Sequence, residues 1–452
     1  MMKYFFFILL MMLMFMISSS FKMMMNIIFQ NLILIIMMVF FFEFSFVGLN
    51  LIEFYSLGNS YGLDFFSYWM VNLSMWIIIL MMMASMSVVK LQKFLFLFIM
   101  NLLSMLLLLM MTFSHLNFLG FYILFEASLI PTLFLIMGWG YQVERIQAGV
   151  YMMLYTLFAS LPFLLMLIYL YKSMYSLDMI FLNIMKIKID NMFMYFIMLF
   201  AFLVKMPMFM VHVWLPKAHV EAPVSGSMIL AGVMLKLGGY GIYRVIFMIE
   251  GCQEYNLYIL VFSMVGGILL SLVCLLQLDM KSLVAYSSVV HMSLVIGGLF
   301  SSEYIGVQGA YLMMIAHGLC SSGLFCMVNL FYERSMSRSL LINKGMLVYS
   351  PSMMMMWFLL CMYNMSAPPS LNLLSEIYLL ISLVSWSYFL IVMLMILLFI
   401  SSCYSLYLYS YVCYGKSLML FSFFSFSVRD YVMILMHLIP LNLIILKIDI
   451  LF

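Results

Sequence analysis

An all-α polytopic membrane protein of about fourteen transmembrane helices, with two inverted five-helix repeats that each contain a Pro-broken helix, is the fold class that three observations predict. The first is bulk apolarity. Of 452 residues, 68% are hydrophobic and 8% charged, and the mean hydropathy is +1.22, beyond what a water-soluble domain of this length carries without aggregating. The second is that apolar runs of spanning length follow one another with short connections, leaving no room for an extramembrane domain. The third is the stretch from Phe202 to Gly226, in which Lys205 and Pro207 fall inside an apolar span.

Runs bounded by charges or turn residues place spans at Met1 to Ser18, Met23 to Phe42, Leu63 to Ser85, Phe94 to Phe113, Asn117 to Met137, Ala148 to Tyr171 and Asn191 to Trp214. Val224 to Met248, Leu257 to Leu278, Ser282 to Phe300 and Tyr304 to Phe331 follow. Gly345 to Trp386 is too long for one straight crossing and contains Ala367-Pro368-Pro369, so it reads as one broken helix; Tyr388 to Val412 and Tyr431 to Leu446 complete the set. The opening has the layout of a signal peptide, but a chain this hydrophobic inserts without a cleavable one, so a retained first helix is expected.

Proline lacks an N–H and crowds the carbonyl four residues back, so Pro207, Pro368 and Pro369 mark helix breaks. The two broken spans lie about five crossings apart, and an odd offset makes the repeats inverted. Such paired breaks point to a transport site near the midplane. The expected division is residues 1–113 for the N-terminal helices, 94–248 for the first repeat, 257–412 for the second and 431–452 for a last helix.

With an even number of spans, Lys22, Lys90, Lys93, Arg145, Lys217, Lys281, Arg334, Arg338, Lys344, Lys416 and Arg429 gather on the face away from the termini. The positive-inside rule makes that face the side of insertion. The net charge of +3 is small and spread thinly, which argues against nucleic-acid binding. Met 56, Phe 43 and Tyr 30 far exceed ordinary usage and fit an A+T-biased, mitochondrial coding genome. The basic face would then be the matrix side, with both termini in the intermembrane space. Seven cysteines (Cys252, Cys274, Cys320, Cys326, Cys361, Cys403 and Cys413) form no C-x-x-C pair and read as packing residues.

Four charges fall deep within spans: Glu126, Lys205, Lys236 and Glu376. A charged side chain at the bilayer centre costs about 2.5 to 3.5 kcal/mol on insertion scales and commonly marks an ion pathway. Two inert salt bridges, Glu126 with Lys205 and Lys236 with Glu376, are the structural alternative, although a buried pair gains little over apolar packing. His291 and His317 lie inside the tenth and eleventh spans, between Lys236 and Glu376 in the chain, and imidazole suits a proton wire. His212, His219 and Glu221 imitate a zinc set, but His219 and Glu221 are expected beyond the span's end on a Pro-bounded turn, which argues against a metal. No dinucleotide or P-loop motif is present, so any energy source must come from partners.

The stretches Phe125 to Thr132, Gly138 to Arg145, Lys205 to Gly226, Lys236 to Gly241, Ala285 to Ser288 with His291, Ala316 to Gly318 and Ala367 to Glu376 resemble the antiporter-like subunits of respiratory complex I, most closely the mitochondrially encoded chain 4 branch. The resemblance covers about Asn117 to Glu376 and is most specific around Lys205; the flanks match in hydropathy alone. It implies that Glu126 and Lys205 form the coupled pair of one half-channel. Lys236 would be the central group, His291 and His317 the connecting wire, and Glu376 the terminal proton carrier, where some sister subunits have Lys. It also implies that NADH, FMN, iron–sulfur clusters and ubiquinone are bound by partner subunits and none by this chain. Its partners would be other membrane-arm subunits, sister antiporter-like subunits and membrane lipids of the mitochondrial inner membrane. A subunit of a multisubunit cation/proton antiporter, or a structural spacer without a proton path, are the competing functions.

Overall fold

The computed structural model describes residues 1–17, 22–45, 54–58, 60–92, 94–189, 191–251, 253–416 and 424–446. Ser18, Lys93, Cys252 and residues 447–452, which figure in the expected spans, basic face and cysteine set, lie outside them. The N-terminal helices α1 (Met2–Ile17) and α2 (Lys22–Ser45) are pinned where the start of one meets the end of the other, by Lys3 on Glu43 at 2.6 Å. A hairpin of β1 (Tyr55–Gly58) and β2 (Tyr61–Leu63) leads into α3 (Phe65–Ala84). Asp64 caps α3 by accepting the Ser67 N–H while the Ser67 hydroxyl accepts the Asp64 N–H, which satisfies two groups the helix start leaves open.

After α4 (Met86–Leu91) and α5 (Leu95–Ser114) comes the expected span from Asn117, which is jointed: α6 (Phe118–Ala127) ends at Ser128 and α7 (Leu129–Trp139) continues. Pro131 is the cause, because it cannot donate to the Ala127 carbonyl. Next are α8 (Arg145–Met174), α9 (Met179–Met185), β3 (Ile187–Lys188) and α10 (Met192–Lys205). A 3₁₀ turn at Val211–Val213 carries the chain into α11 (Trp214–Glu221). Then α12 (Val224–Ile229) widens into a π turn at Leu230–Met234 and continues as α13 (Leu235–Ile246). Strand β4 (Ile249–Glu250) pairs in parallel with β3.

The remaining helices are α14 (Gln253–Leu275), α15 (Met280–Phe300), α16 (Tyr304–Ser335), α17 (Met346–Tyr349), α18 (Pro351–Asn364), α19 (Leu371–Trp386), α20 (Leu390–Cys413) and α21 (Val428–Leu446). Among the described residues, eleven helical segments are long and apolar enough to cross a membrane, against about fourteen expected. Three more apolar helices, Met2–Met14, Met192–Lys205 and Leu371–Trp386, are shorter. The last two adjoin the proline breaks, which limit their length, whereas Met2–Met14 is short without one.

Helices α3, α15 and α16 form the core and are almost wholly buried. Those at the periphery expose apolar side chains, such as Phe158 on α8 and Phe399 on α20, as a lipid-facing surface requires. One close backbone approach is between α13 and the end of α10. A Cβ on Gly238 would lie 2.8 Å from the Met206 nitrogen and 2.9 Å from the Phe202 carbonyl oxygen, and neither can retreat. Gly238→Ala is therefore expected to cost about 1 to 3 kcal/mol and to lower the amount and heat resistance of assembled protein, measured on native gels and by thermal inactivation. The same change at Gly138, which has nothing within 4 Å, should leave both unaltered.

Candidate functional site

Each broken span leaves backbone carbonyls without helical partners in an apolar setting, where an unmet group costs several kcal/mol. In the first, α10 stops at Lys205, and the indole N–H of Trp214, beyond the break, donates to the Val204 carbonyl at 3.1 Å. In the second, α18 stops before Pro368-Pro369, and Asn372 of α19 donates to the Tyr363 carbonyl at 2.6 Å. Ser370 caps the start of α19 by accepting from the Leu373 N–H at 3.2 Å. Both breaks are thus closed from their far side, and each places an ionisable residue beside it, Lys205 in one and Glu376 in the other.

Lys205 is 2% exposed. Its ammonium donates to the Phe125 carbonyl at 2.7 Å and lies 3.1 Å from the centroid of the Phe125 ring. The joint at Ser128 leaves that carbonyl available, and the Ser128 hydroxyl donates to it as well, at 2.7 Å. Glu126, the next residue, has both carboxylate oxygens buried with no hydrogen-bond partner. Glu126 and Lys205 are therefore not in contact as a salt bridge, though each lies within the electrostatic influence of the other. This differs from the inert pair considered above: the lysine has taken a carbonyl and a ring face, and the carboxylate stands apart.

Lys236 is 0% exposed. Its ammonium donates to the Ala231 carbonyl in the π turn directly before it and lies 3.0 Å from Nδ1 of His317. Which of the two donates depends on the protonation of the amine and the tautomer of the imidazole. The His317 ring lies 5.6 Å, centroid to centroid, from that of His291. Nδ1 of His291 is 3.8 Å from Oε1 of Glu376, and its Nε2 is 3.3 Å from the Tyr404 hydroxyl. Four residues remote in sequence thus form a buried succession, Lys236, His317, His291 and Glu376, on α13, α16, α15 and α19. The alternative ion pair of Lys236 with Glu376 is not formed; the two imidazoles stand between them.

The remaining sequence candidates lie elsewhere. His212 packs its ring against Phe209 and Tyr286. His219 stacks on Phe325 with centroids 4.7 Å apart and both ring nitrogens unpartnered. The turn expected at His219 and Glu221 is instead α11, which buries both side chains. The proline that suggested a turn, Pro216, falls in the first turn of that helix, where its missing N–H costs nothing.

Two groupings escaped the sequence. Lys281 and Arg338, assigned there to the exposed basic face, reach inward as caps: Lys281 donates to the Ala222 carbonyl at 3.1 Å and Arg338 to the Val220 carbonyl at 2.7 Å. They place positive charge at the C-terminus of α11, where the helix dipole favours it. Asp64 and Arg244 form a buried ion pair at 2.7 Å, and Arg244 also donates to the Tyr240 hydroxyl at 2.7 Å. Their separation in sequence hid the pair. A basic residue close to a span end was the available signal.

The comparisons with known proteins bear on this geometry. Residues 115–401 match the family described as NADH:quinone oxidoreductase/Mrp antiporter, TM, and residues 1–112 match NADH-ubiquinone oxidoreductase chain 4, amino terminus. NADH-ubiquinone oxidoreductase chain 4 of Ceratitis capitata is 52% identical over 408 residues, covering 89% of this chain and 91% of that one. The chain belongs to the NADH-ubiquinone oxidoreductase chain 4 family. The chain 4 of Aedes aegypti is likewise 52% identical, over 86% of this chain and 87% of its own. The chain 4 fold is also seen in a chain of respiratory complex I from Thermus thermophilus with bound NADH, with a TM-score of 0.86 at 20% identity over 97% of this chain and 94% of that one. A chain of the archaeal membrane-bound sulfane sulfur reductase, a respiratory membrane complex, matches with a TM-score of 0.86 at 15% identity over 100% and 94%. This chain 4 member therefore shares its helix arrangement with chains of respiratory assemblies far removed in sequence.

The Asp64–Arg244 pair provides a check on the electrostatics of the fold. Asp64→Asn keeps the α3 cap but leaves the guanidinium buried without its counter-charge, at a cost of about 3 to 5 kcal/mol. Assembly on native gels should fall accordingly, and the double change Asp64→Asn with Arg244→Met should recover part of it.

Proposed function

We infer that this chain is the proton-translocating membrane-arm subunit of an NADH:ubiquinone oxidoreductase, moving protons across the mitochondrial inner membrane while electrons pass from NADH to ubiquinone in other subunits. The observation that carries the reading is the buried succession from Lys236 through His317 and His291 to Glu376. Imidazole both accepts and donates a proton and restores itself by turning or by a second transfer, so two imidazoles between an amine and a carboxylate suit hydrogen-bonded hops. The reading makes Lys236 the central group, His317 and His291 the wire and Glu376 the terminal carrier, with Tyr404 orienting His291. Glu126 and Lys205 form the other end of the route: an approach of the Glu126 carboxylate holds the proton on Lys205, and its withdrawal favours release.

The reading also takes the three shorter apolar helices as crossings, two of them through their broken partners, which gives fourteen. Two inverted repeats, residues 94–248 and 257–412, flanked by residues 1–113 and 431–452, then account for the paired breaks, and both are closed by a side chain from beyond the proline. The termini lie in the intermembrane space. This chain needs no redox cofactor of its own, and NADH, FMN, iron–sulfur clusters and ubiquinone belong to partner subunits, with sister antiporter-like subunits and lipid as its neighbours.

Lys205→Met and Glu376→Gln test the role directly. Each should leave the complex assembled, while proton translocation per NADH oxidised falls, read as acidification of the lumen of inverted membrane vesicles together with NADH consumption. A structural spacer predicts unchanged pumping in both. Sodium-driven exchange that persists without NADH or quinone would instead mark a cation/proton antiporter. His317→Phe, which removes the imidazole nitrogen facing Lys236 and keeps a ring of similar size, should reproduce the Glu376→Gln loss, and combining the two should add little, as expected for one route.

A further inference from the structure

A cavity of about 300 Å³ lies apart from the relay, where the start of α3, the end of α13 and the start of α16 converge. Its walls are largely aromatic: Phe54, Phe66, Tyr243, Phe247, Tyr304 and Tyr311. The rings are ordered against one another, with Phe66 stacked on Tyr243 at 4.2 Å and 16° and Tyr311 also 4.2 Å from Phe66. Two buried donors in this wall are unmet, as is the side-chain carbonyl oxygen of Asn183, an acceptor. The Tyr311 hydroxyl is buried without a hydrogen-bond partner, and so is Nε of Arg244, in residues that are 1% and 5% exposed. A buried donor left unpaired is unfavourable, so these two donors call for a group that accepts hydrogen bonds.

The charges narrow what that is. The Arg244 guanidinium is already balanced by Asp64 at 2.7 Å, and Lys186 at the rim by Glu250 at 2.7 Å. The cavity thus offers a hydrogen-bonding edge in an apolar slot, which fits one carbonyl or carboxylate oxygen on an apolar body better than a phosphate. Its position gives the source. Spanning helices begin or end around it, at Phe65, Ile246 and Tyr304, and Phe247 and Tyr304 stand exposed at its edge. Aromatic side chains so placed sit at the membrane interface, the level at which acyl carbonyls lie.

We propose that this cavity binds one acyl amphiphile, its carbonyl or carboxylate oxygen taking the free Arg244 edge and the Tyr311 hydroxyl and its first methylenes lying against the aromatic wall. A free fatty acid and the ester of a glycerolipid share this chemistry. The test uses the intact complex, with two photoactivatable probes: palmitic acid carrying a diazirine and an alkyne, and a phosphatidylcholine bearing the same chain. Irradiation and peptide mapping should give saturable labelling within residues 240–247 or 304–311, competed by the matching unlabelled lipid. Labelling by the acid alone assigns a carboxylate ligand, and labelling by the phospholipid assigns the ester; either supports the site.

Val307→Trp, which fills the cavity from its wall, should abolish saturable labelling while NADH oxidation is retained. Tyr311→Phe keeps the ring and removes the hydroxyl, so about fivefold weaker competition is expected from the loss of one hydrogen bond. Labelling that never saturates, or that both variants leave unchanged, overturns the proposal. So does a high-resolution map of the complex in which ordered water alone meets Arg244 and Tyr311. These readouts are independent of the proton relay, whose failure would leave them unaffected.

Discussion

The fold depends on how a positive charge is kept inside an apolar slab. An ammonium cannot sit in hydrocarbon without acceptors, and regular helices offer none because their carbonyls are already engaged. The chain supplies them by interrupting its helices. The joint at Ser128 frees the Phe125 carbonyl for Lys205, and the π turn before Lys236 presents the Ala231 carbonyl to it. Each irregularity would be destabilising alone. Each is matched to a charge that needs it, and π turns recur at functional positions for this reason.

The same interruptions expose other carbonyls, and these are met by side chains from beyond the breaks, Trp214 for Val204 and Asn372 for Tyr363. Lys281 and Arg338 perform the equivalent task at the end of α11. At these places backbone and side-chain groups form matched sets. Other buried polar atoms have no partner, among them the Glu126 carboxylate oxygens and both His219 nitrogens. Groups of that kind stay poised for water, protons or a moving partner.

The two ends of the buried charge series are built differently. Between Lys236 and Glu376 stand the imidazoles of His317 and His291, the first within hydrogen-bonding distance of Lys236 and the second 3.8 Å from Glu376. Between Glu126 and Lys205 there is a gap, with Lys205 held by Phe125 instead. Contact between the two parts runs through the glycine face of α13, where Gly238 meets the backbone of Met206 and Gly239 faces Met314 of α16. That interface has no spare volume, so the end of α10 packs directly on the helix that carries Lys236.

The sequence by itself determined the membrane class, the positions of most spans to within a few residues, both proline breaks and the six ionisable residues of the proposed route. These follow from local rules: apolar length, the missing proline N–H and the cost of a charge in hydrocarbon. Only the tertiary structure decided their partners. That Lys236 faces His317 and not Glu376, that Lys205 holds a carbonyl and not Glu126, that Lys281, Asp64 and Arg244 are buried and that Arg338 caps α11 all depend on which helices pack together. The pairs lie far apart along the chain, such as Asp64 and Arg244 at 180 residues, and hydropathy says how deep a residue sits without saying which neighbour it meets.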